Sequence, residues 1–182
     1  SYEEKIASGL IVGYEQAKLI VAEGEICAAL LDAPMSLEKI RVLIKTTDFT
    51  DLLHTNITLK AHGDYEVCAG EDKSILFDGE ELPLEFDDEL LDEDRVILTP
   101  SSSDARIEVC SIERSYGTPL YAGRIEVAKE SGGLLLINEL DLETYLYSVV
   151  PSEMPASYEM EALKAQAVCA RSYAYRQLLN NS

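Results

Sequence analysis

Between residues 39 and 137 apolar side chains recur at every second position, the period of a strand that buries one face. Asn56-Ile57-Thr58-Leu59-Lys60-Ala61 alternates strictly, and so does Tyr65-Glu66-Val67-Cys68-Ala69 after the His62-Gly63-Asp64 turn. The same pattern predicts strands over residues 40–45, 95–99, 106–110, 124–128 and 133–137. The last two flank Glu130-Ser131-Gly132 and predict a hairpin. Asp78-Gly79, Pro83, Pro100-Ser101-Ser102-Ser103 and Tyr116-Gly117-Thr118-Pro119 mark loops between the strands. Nearer the N-terminus, residues 9–13, 18–22 and 26–31 resemble short strands, the last stopping before Pro34.

After residue 138 the period lengthens. Asp141 suits an N-cap, and Leu142, Tyr145, Leu146 and Val149 then fall on one helical face. Pro151 is expected to end that helix. A second helix is predicted over residues 158–179, with Ser157 as its cap and Met160, Leu163, Ala167, Ala170 and Ala174 along one side. Small residues on that stripe allow close packing. The fold class is therefore α+β: a β-rich N-terminal body of short antiparallel strands, followed by two packed C-terminal helices. Three parts follow from this: residues 1–37 of uncertain role, the strand-rich residues 38–137 and the helical residues 138–182.

Charge narrows the function. A net charge of −19 over 182 residues repels nucleic acids and anionic lipid heads. No apolar run approaches the ~20 residues that cross a bilayer. The N-terminus carries Glu3 and Glu4 in place of the basic cluster of an export signal, so an export or anchor segment is not expected within these residues. Cys27, Cys68, Cys110 and Cys169 are widely spaced and lack metal-site spacing; their apolar neighbours predict buried free thiols, with a disulfide still open. The acidic run 85–94 lacks the ordered ligands and central glycine of a calcium loop and is expected to face water.

The two helices are joined by Pro151-Ser152-Glu153-Met154-Pro155-Ala156. Prolines on both sides of one carboxylate restrict the backbone that aims it. Pro151, Met154 and Pro155 are apolar, and apolar surroundings disfavour a charged carboxylate, the condition of a general acid. Spacing alone also admits Glu153 as an ordinary turn residue that caps the second helix or pairs with Arg171.

The string N-E-L-D-L-E-T-Y-L-Y-S-V-V-P-S-E-M-P, continuing to E-A-L-K-A-Q-A-V-C-A-R-S-Y-A, resembles the hallmark of the SpoIID/LytB family over residues 138–174. A run of that length is far more specific than a short motif. Weaker resemblance reaches back to Ile40, and residues 1–37 are not covered. The resemblance implies a peptidoglycan lytic transglycosylase of sporulating Gram-positive bacteria, cutting glycan already stripped of its stem peptides. It makes Glu153 the catalytic residue and assigns Arg171, Gln166 and Ser152 to substrate binding. Asn138, Glu139 and Glu143 also match family positions, where capping or surface placement is expected. A non-catalytic glycan-binding module or amidase enhancer is the alternative, and a structural, oligomer-forming role is a third.

The expected partners are peptidoglycan glycan strands and other sporulation or cell-wall hydrolase proteins, with homo-oligomers allowed. The expected location is extracytoplasmic, at the cell wall or the forespore membrane. No cofactor is implied here; the zinc ligands of some family members would lie past Ser182, and His54 and His62 cannot replace them. Family domains also continue beyond this helix, so the chain is expected to be a partial domain with weak activity alone. Asp141, Ser148 and Cys169 stand where the family usually has proline, glycine and alanine; all three are compatible with helices.

Overall fold

The computed structural model describes residues 17–22, 25–31, 39–92 and 95–180. It is α+β, with antiparallel sheets followed by two helices. One compact unit comprises residues 41–141; a second holds the N-terminal strand pair and both helices.

In the second unit, β1 (Ala17–Ala22) pairs with β2 (Glu25–Leu31). Both strands fall on sequence runs expected to be extended, whereas the expected strand at 9–13 lies outside the described residues.

The first unit is built from β3 (Lys39–Ile44), β4 (Leu53–His54), β5 (Asn56–His62), β6 (Tyr65–Ala69), β7 (Asp72–Leu76), β8 (Glu81–Glu85), β9 (Arg95–Pro100), β10 (Arg106–Val109), β11 (Leu120–Ala122), β12 (Arg124–Glu130) and β13 (Gly133–Asp141). One sheet has the order β11-β10-β5-β8. The other has the order β3-β13-β12-β9-β6-β7, with β4 also pairing β13. Ile57, Leu59 and Ala61 of β5 and Ile107 and Val109 of β10 share one core cluster with Val96, Leu98, Ile125, Val127, Leu134 and Leu136 of the larger sheet. All of these are wholly buried. Burying such side chains stabilises the fold by about 1.5–3 kcal/mol each for the large aliphatics. The alternation of β5, with Ile57, Leu59 and Ala61 inward, is the pattern its sequence predicts.

β12 departs from alternation because its outer face is covered as well: Ile125, Glu126, Val127 and Ala128 are all buried. Glu126 is held between Arg41, at 2.5 Å, and Arg95. Two guanidinium groups on one buried carboxylate offset the cost of removing that charge from water. Gly123 precedes β12 at φ +83°, where a Cβ would come within 2.5 Å of the Glu139 carbonyl oxygen. Only glycine fits there. Buried Asn138 fastens the same bend, donating to the carbonyls of Ala122 at 2.7 Å and Arg124 at 3.2 Å. Its role is therefore structural and interior.

Several expectations need correction. Pro83 lies inside β8 and not in a loop; β8 is an edge strand, where a missing N–H breaks no inner ladder. β13 runs on through Asn138 to Asp141 before the helical period begins. The acidic run contains a single 3-10 turn, Glu89–Leu91, capped by the Asp88 side chain and anchored by fully buried Leu91. The cysteines are free but not buried: Cys110 and Cys169 are exposed and Cys68 is half-buried. The side chain of Cys27 is outside the described residues.

α1 spans Leu142–Glu153 and α2 spans Met160–Asn180. Pro151 sits inside the last turn of α1 and does not stop it. There it removes one hydrogen bond, to the carbonyl of Tyr147, a residue exposed to water. α2 starts at Met160, three residues after the expected Ser157 cap. Met160 is exposed, while Ala170 and Ala174 of the predicted stripe are buried. Among the described residues, no helix is long and apolar enough to cross a membrane.

Candidate functional site

Glu153 is the last residue of α1, not a loop residue. It is exposed, as are Pro151 and Pro155, so the apolar enclosure expected from its neighbours is not formed among the described residues. A carboxylate at the carboxyl end of a helix faces the negative end of the helix dipole, and no basic residue occupies that last turn. Its compensation comes from α2: the Gln166 amide nitrogen, Nε2, donates to Glu153 Oε2. No partner for Oε1 occurs among the described residues. One oxygen is thus anchored and the other is open to a ligand.

Arg171 does not pair with Glu153. Its Nε and Nη2 donate to the two carboxylate oxygens of Glu143, each at 2.7 Å. This forked geometry fits a guanidinium to a carboxylate at both ends. The hydrogen bond from Arg171 is the first cause that lowers the pKa of Glu143 below the ordinary carboxylate value.

The two pairs lie at opposite ends of α1. Glu143 opens α1 and meets Arg171 midway along α2; Glu153 closes α1 and meets Gln166, five residues earlier on α2. Inside the pair, Leu142 and Leu146 of α1 and Ala170 and Ala174 of α2 are buried. Gln166 and Arg171, five residues apart and about 140° round the helix, reach different parts of α1. Ser152 donates its hydroxyl to the Val149 carbonyl at 2.8 Å, one turn back in its own helix. That bond engages the hydroxyl within α1.

Two residues join the site that the sequence did not single out for it. Glu143 holds Arg171 in place. Tyr145, half-buried on α1, has its phenol pushed above the ordinary value by burial, then by the charges of Glu153 and Tyr173. Tyr145 precedes Glu153 by eight residues, just over two turns, and that spacing was the available signal. Tyr147 and Tyr173 on the two helices and Tyr158 in the connection between them are exposed and offer flat apolar faces. The arrangement can donate or accept one proton at Glu153 and hold polar groups with Gln166 and Tyr145.

The match to a known family falls on this part of the chain. The family model described as SpoIID, stage II sporulation protein, matches residues 130–182. An uncharacterized protein of Brachyspira hyodysenteriae is 42% identical over 62 residues, 34% of this chain and 17% of that protein. Stage II sporulation protein D of Bacillus subtilis is 48% identical over 46 residues, 25% of this chain and 13% of that protein. Its counterpart in Bacillus amyloliquefaciens is 46% identical over 46 residues, again 13% of its length. The chain thus aligns with well under a fifth of the length of each of these relatives. No solved structure matches. The stretch that resembles the SpoIID family, residues 130–182, takes in β13 and the helix pair that carries Glu153, Gln166 and Arg171.

Proposed function

We propose that this chain serves sporulation-related remodelling of the cell wall by cleaving peptidoglycan glycan strands as a lytic transglycosylase, with Glu153 as its acid and base. The observation that carries this reading is the geometry at Glu153: one oxygen anchored by Gln166, the other open, on an exposed helix end. The family match over the same residues supports it.

One carboxylate suffices for this chemistry. Hydrolytic glycosidases use two, because one must activate water or attack the sugar. In a transglycosylase the C6 hydroxyl of the N-acetylmuramic residue attacks its own anomeric carbon. Protonated Glu153 gives its proton to the glycosidic oxygen as the bond to that carbon breaks. The resulting carboxylate takes the C6 hydroxyl proton as the new carbon–oxygen bond closes a 1,6-anhydro ring. Glu153 ends protonated, ready for another cycle, and no water is consumed. Attack within one sugar has the proximity advantage of an intramolecular reaction. Gln166 orients the carboxyl and meets N-acetyl oxygens, while Arg171 steadies α1 through Glu143.

Glycan stripped of stem peptides is the substrate class, and its location places the protein outside the cytoplasm. A glycan-binding module or amidase enhancer is the second reading, favoured by the exposure of Glu153 and by the hydroxyl of Ser152 being engaged within α1.

Denuded glycan incubated with the protein and analysed by mass spectrometry tests the reading. Fragments ending in 1,6-anhydro-N-acetylmuramic acid are expected. Fragments ending in a reducing sugar would overturn the transglycosylase assignment. Retained glycan binding without any new ends would establish the binding module.

A further inference from the structure

The loop after β3, residues 45–51, is held by more bonds than so short a connection needs. Thr46 N donates to the Asp51 carbonyl at 3.0 Å. The Asp48 carboxylate accepts from Thr46 Oγ1 at 2.7 Å, Thr50 N at 3.2 Å and Thr50 Oγ1 at 2.8 Å. Arg114, far along the chain, donates to the carbonyls of Lys45, Thr46 and Thr47 at 2.7, 2.9 and 3.2 Å. This frame holds Phe49 at φ +61°, a left-handed conformation that bulky residues avoid. The ring is 59% exposed, with the Arg114 guanidinium 4.2 Å from its centre. A strained backbone thus presents an aromatic ring to water, where it contributes little to the core.

Beside it, on the same unit, lies a recess of about 410 Å³ lined by Thr47, Asp48, His54, Asn56 and Ser111, among others. Its lining carries both kinds of hydrogen-bonding group. Thr47 Oγ1 accepts from Glu113 N and Ser111 Oγ accepts from Thr58 N, each at 3.2 Å, so each hydroxyl keeps its own hydrogen to donate. The Asp48 carboxylate accepts. Asn56 offers both an amide oxygen and N–H groups. His54 is buried and its Nε2 donates to the Ile44 carbonyl at 2.9 Å, which leaves Nδ1 as an acceptor. Among the described residues, no lysine or arginine lines the recess. Within the recess a phosphate or carboxylate would meet the Asp48 carboxylate, which disfavours an anionic ligand there.

We propose that this recess and the adjacent Phe49 ring bind one neutral sugar residue, separately from the Glu153 site. A pyranose presents alternating hydroxyl donors and acceptors around its rim and an apolar face of C–H groups. The rim suits Thr47, Asp48, Asn56 and Ser111, and the C–H face suits an exposed aromatic ring. The inference uses nothing from the chemistry assigned to Glu153.

An isotope-edited NMR titration with N-acetylglucosamine tetramer, a neutral probe, tests it. Amide shifts are expected in residues 46–56 and 111, and Glu153→Gln should leave them unchanged. Phe49→Gly is the informative variant, because glycine accepts φ +61° without strain. It should keep or raise the melting temperature and weaken binding at this site at least tenfold. Asn56→Ala should weaken it several-fold. Shifts confined to α1 and α2, or no shifts in residues 46–56 at millimolar sugar, would overturn the proposal. Unchanged affinity in folded Phe49→Gly and Asn56→Ala proteins would do so as well.

Discussion

The strand-rich body and the helix pair are built on different terms. In residues 41–141, large aliphatic side chains from two sheets fill one core and many are wholly buried. In α1 and α2, Leu142, Leu146, Ala170 and Ala174 are buried, two of them only alanines. Hydrogen bonds from both ends of α1 to α2 supplement that burial. The body resembles a scaffold whose residues are fixed by packing. The helix pair carries its polar groups outward, where they can meet a ligand, and gives up apolar burial to do so. Residues that are conspicuous for chemistry therefore sit where the packing is lightest.

The comparison predicts a graded response to substitution. Leu98→Ala or Leu136→Ala in the body should lose about 2–5 kcal/mol, the usual cost of a large-to-small change in a closed core. Denaturant midpoints should fall accordingly; a loss well under 1 kcal/mol would show that the core tolerates the cavity. Gly123→Ala should cost more than about 1 kcal/mol, because it adds a Cβ against the Glu139 carbonyl at positive φ.

Arg171→Gln should alter global unfolding less than either and should be felt mainly in the helix pair, as faster amide exchange along α1. The pH dependence has a defined sign. Glu143 has its pKa lowered in the folded protein, so its contribution is present above the unfolded value and is lost as pH falls through the folded one. Arg171→Gln should remove that dependence. The smallest effect concerns Asp48, lowered to about 2 by its hydrogen bonds to Thr46 and Thr50. Its support for the 45–51 loop should be complete above pH 3.8 and decline as pH falls from there through about 2, a trend that Asp48→Asn abolishes. Carboxylate and amide NMR shifts across an acid titration read it directly.

Much of the body was legible because period two records a buried face. β5, β6, β9 and β10 fall close to where alternation places them. The strands that escaped notice lack that signal. β8 contains Pro83, which sequence marks as a breaker but an edge strand accommodates. β7 exposes four of its five residues, so it shows no alternation to read. The helices were legible from their stripes, but their ends were not, since Pro151 is tolerated inside a last turn. At the site, motif resemblance singled out Glu153, Gln166 and Arg171. The pairing was not readable, because which carboxylate meets which donor depends on how α1 and α2 pack. Arg171 meets Glu143, and Gln166 meets Glu153. The apolar neighbours of Glu153 suggested enclosure, yet a helix end leaves it exposed.

The central claim is that Glu153 moves the proton in glycan cleavage. The most direct test compares wild type with Glu153→Gln, an isosteric change that removes the ionisable group, by counting 1,6-anhydro ends released from denuded glycan. Circular dichroism first establishes that both proteins are equally folded. The variant is expected to release at least about a hundredfold fewer ends, in line with the typical contribution of a general acid–base residue, while still binding glycan. Equal release by both proteins would contradict it.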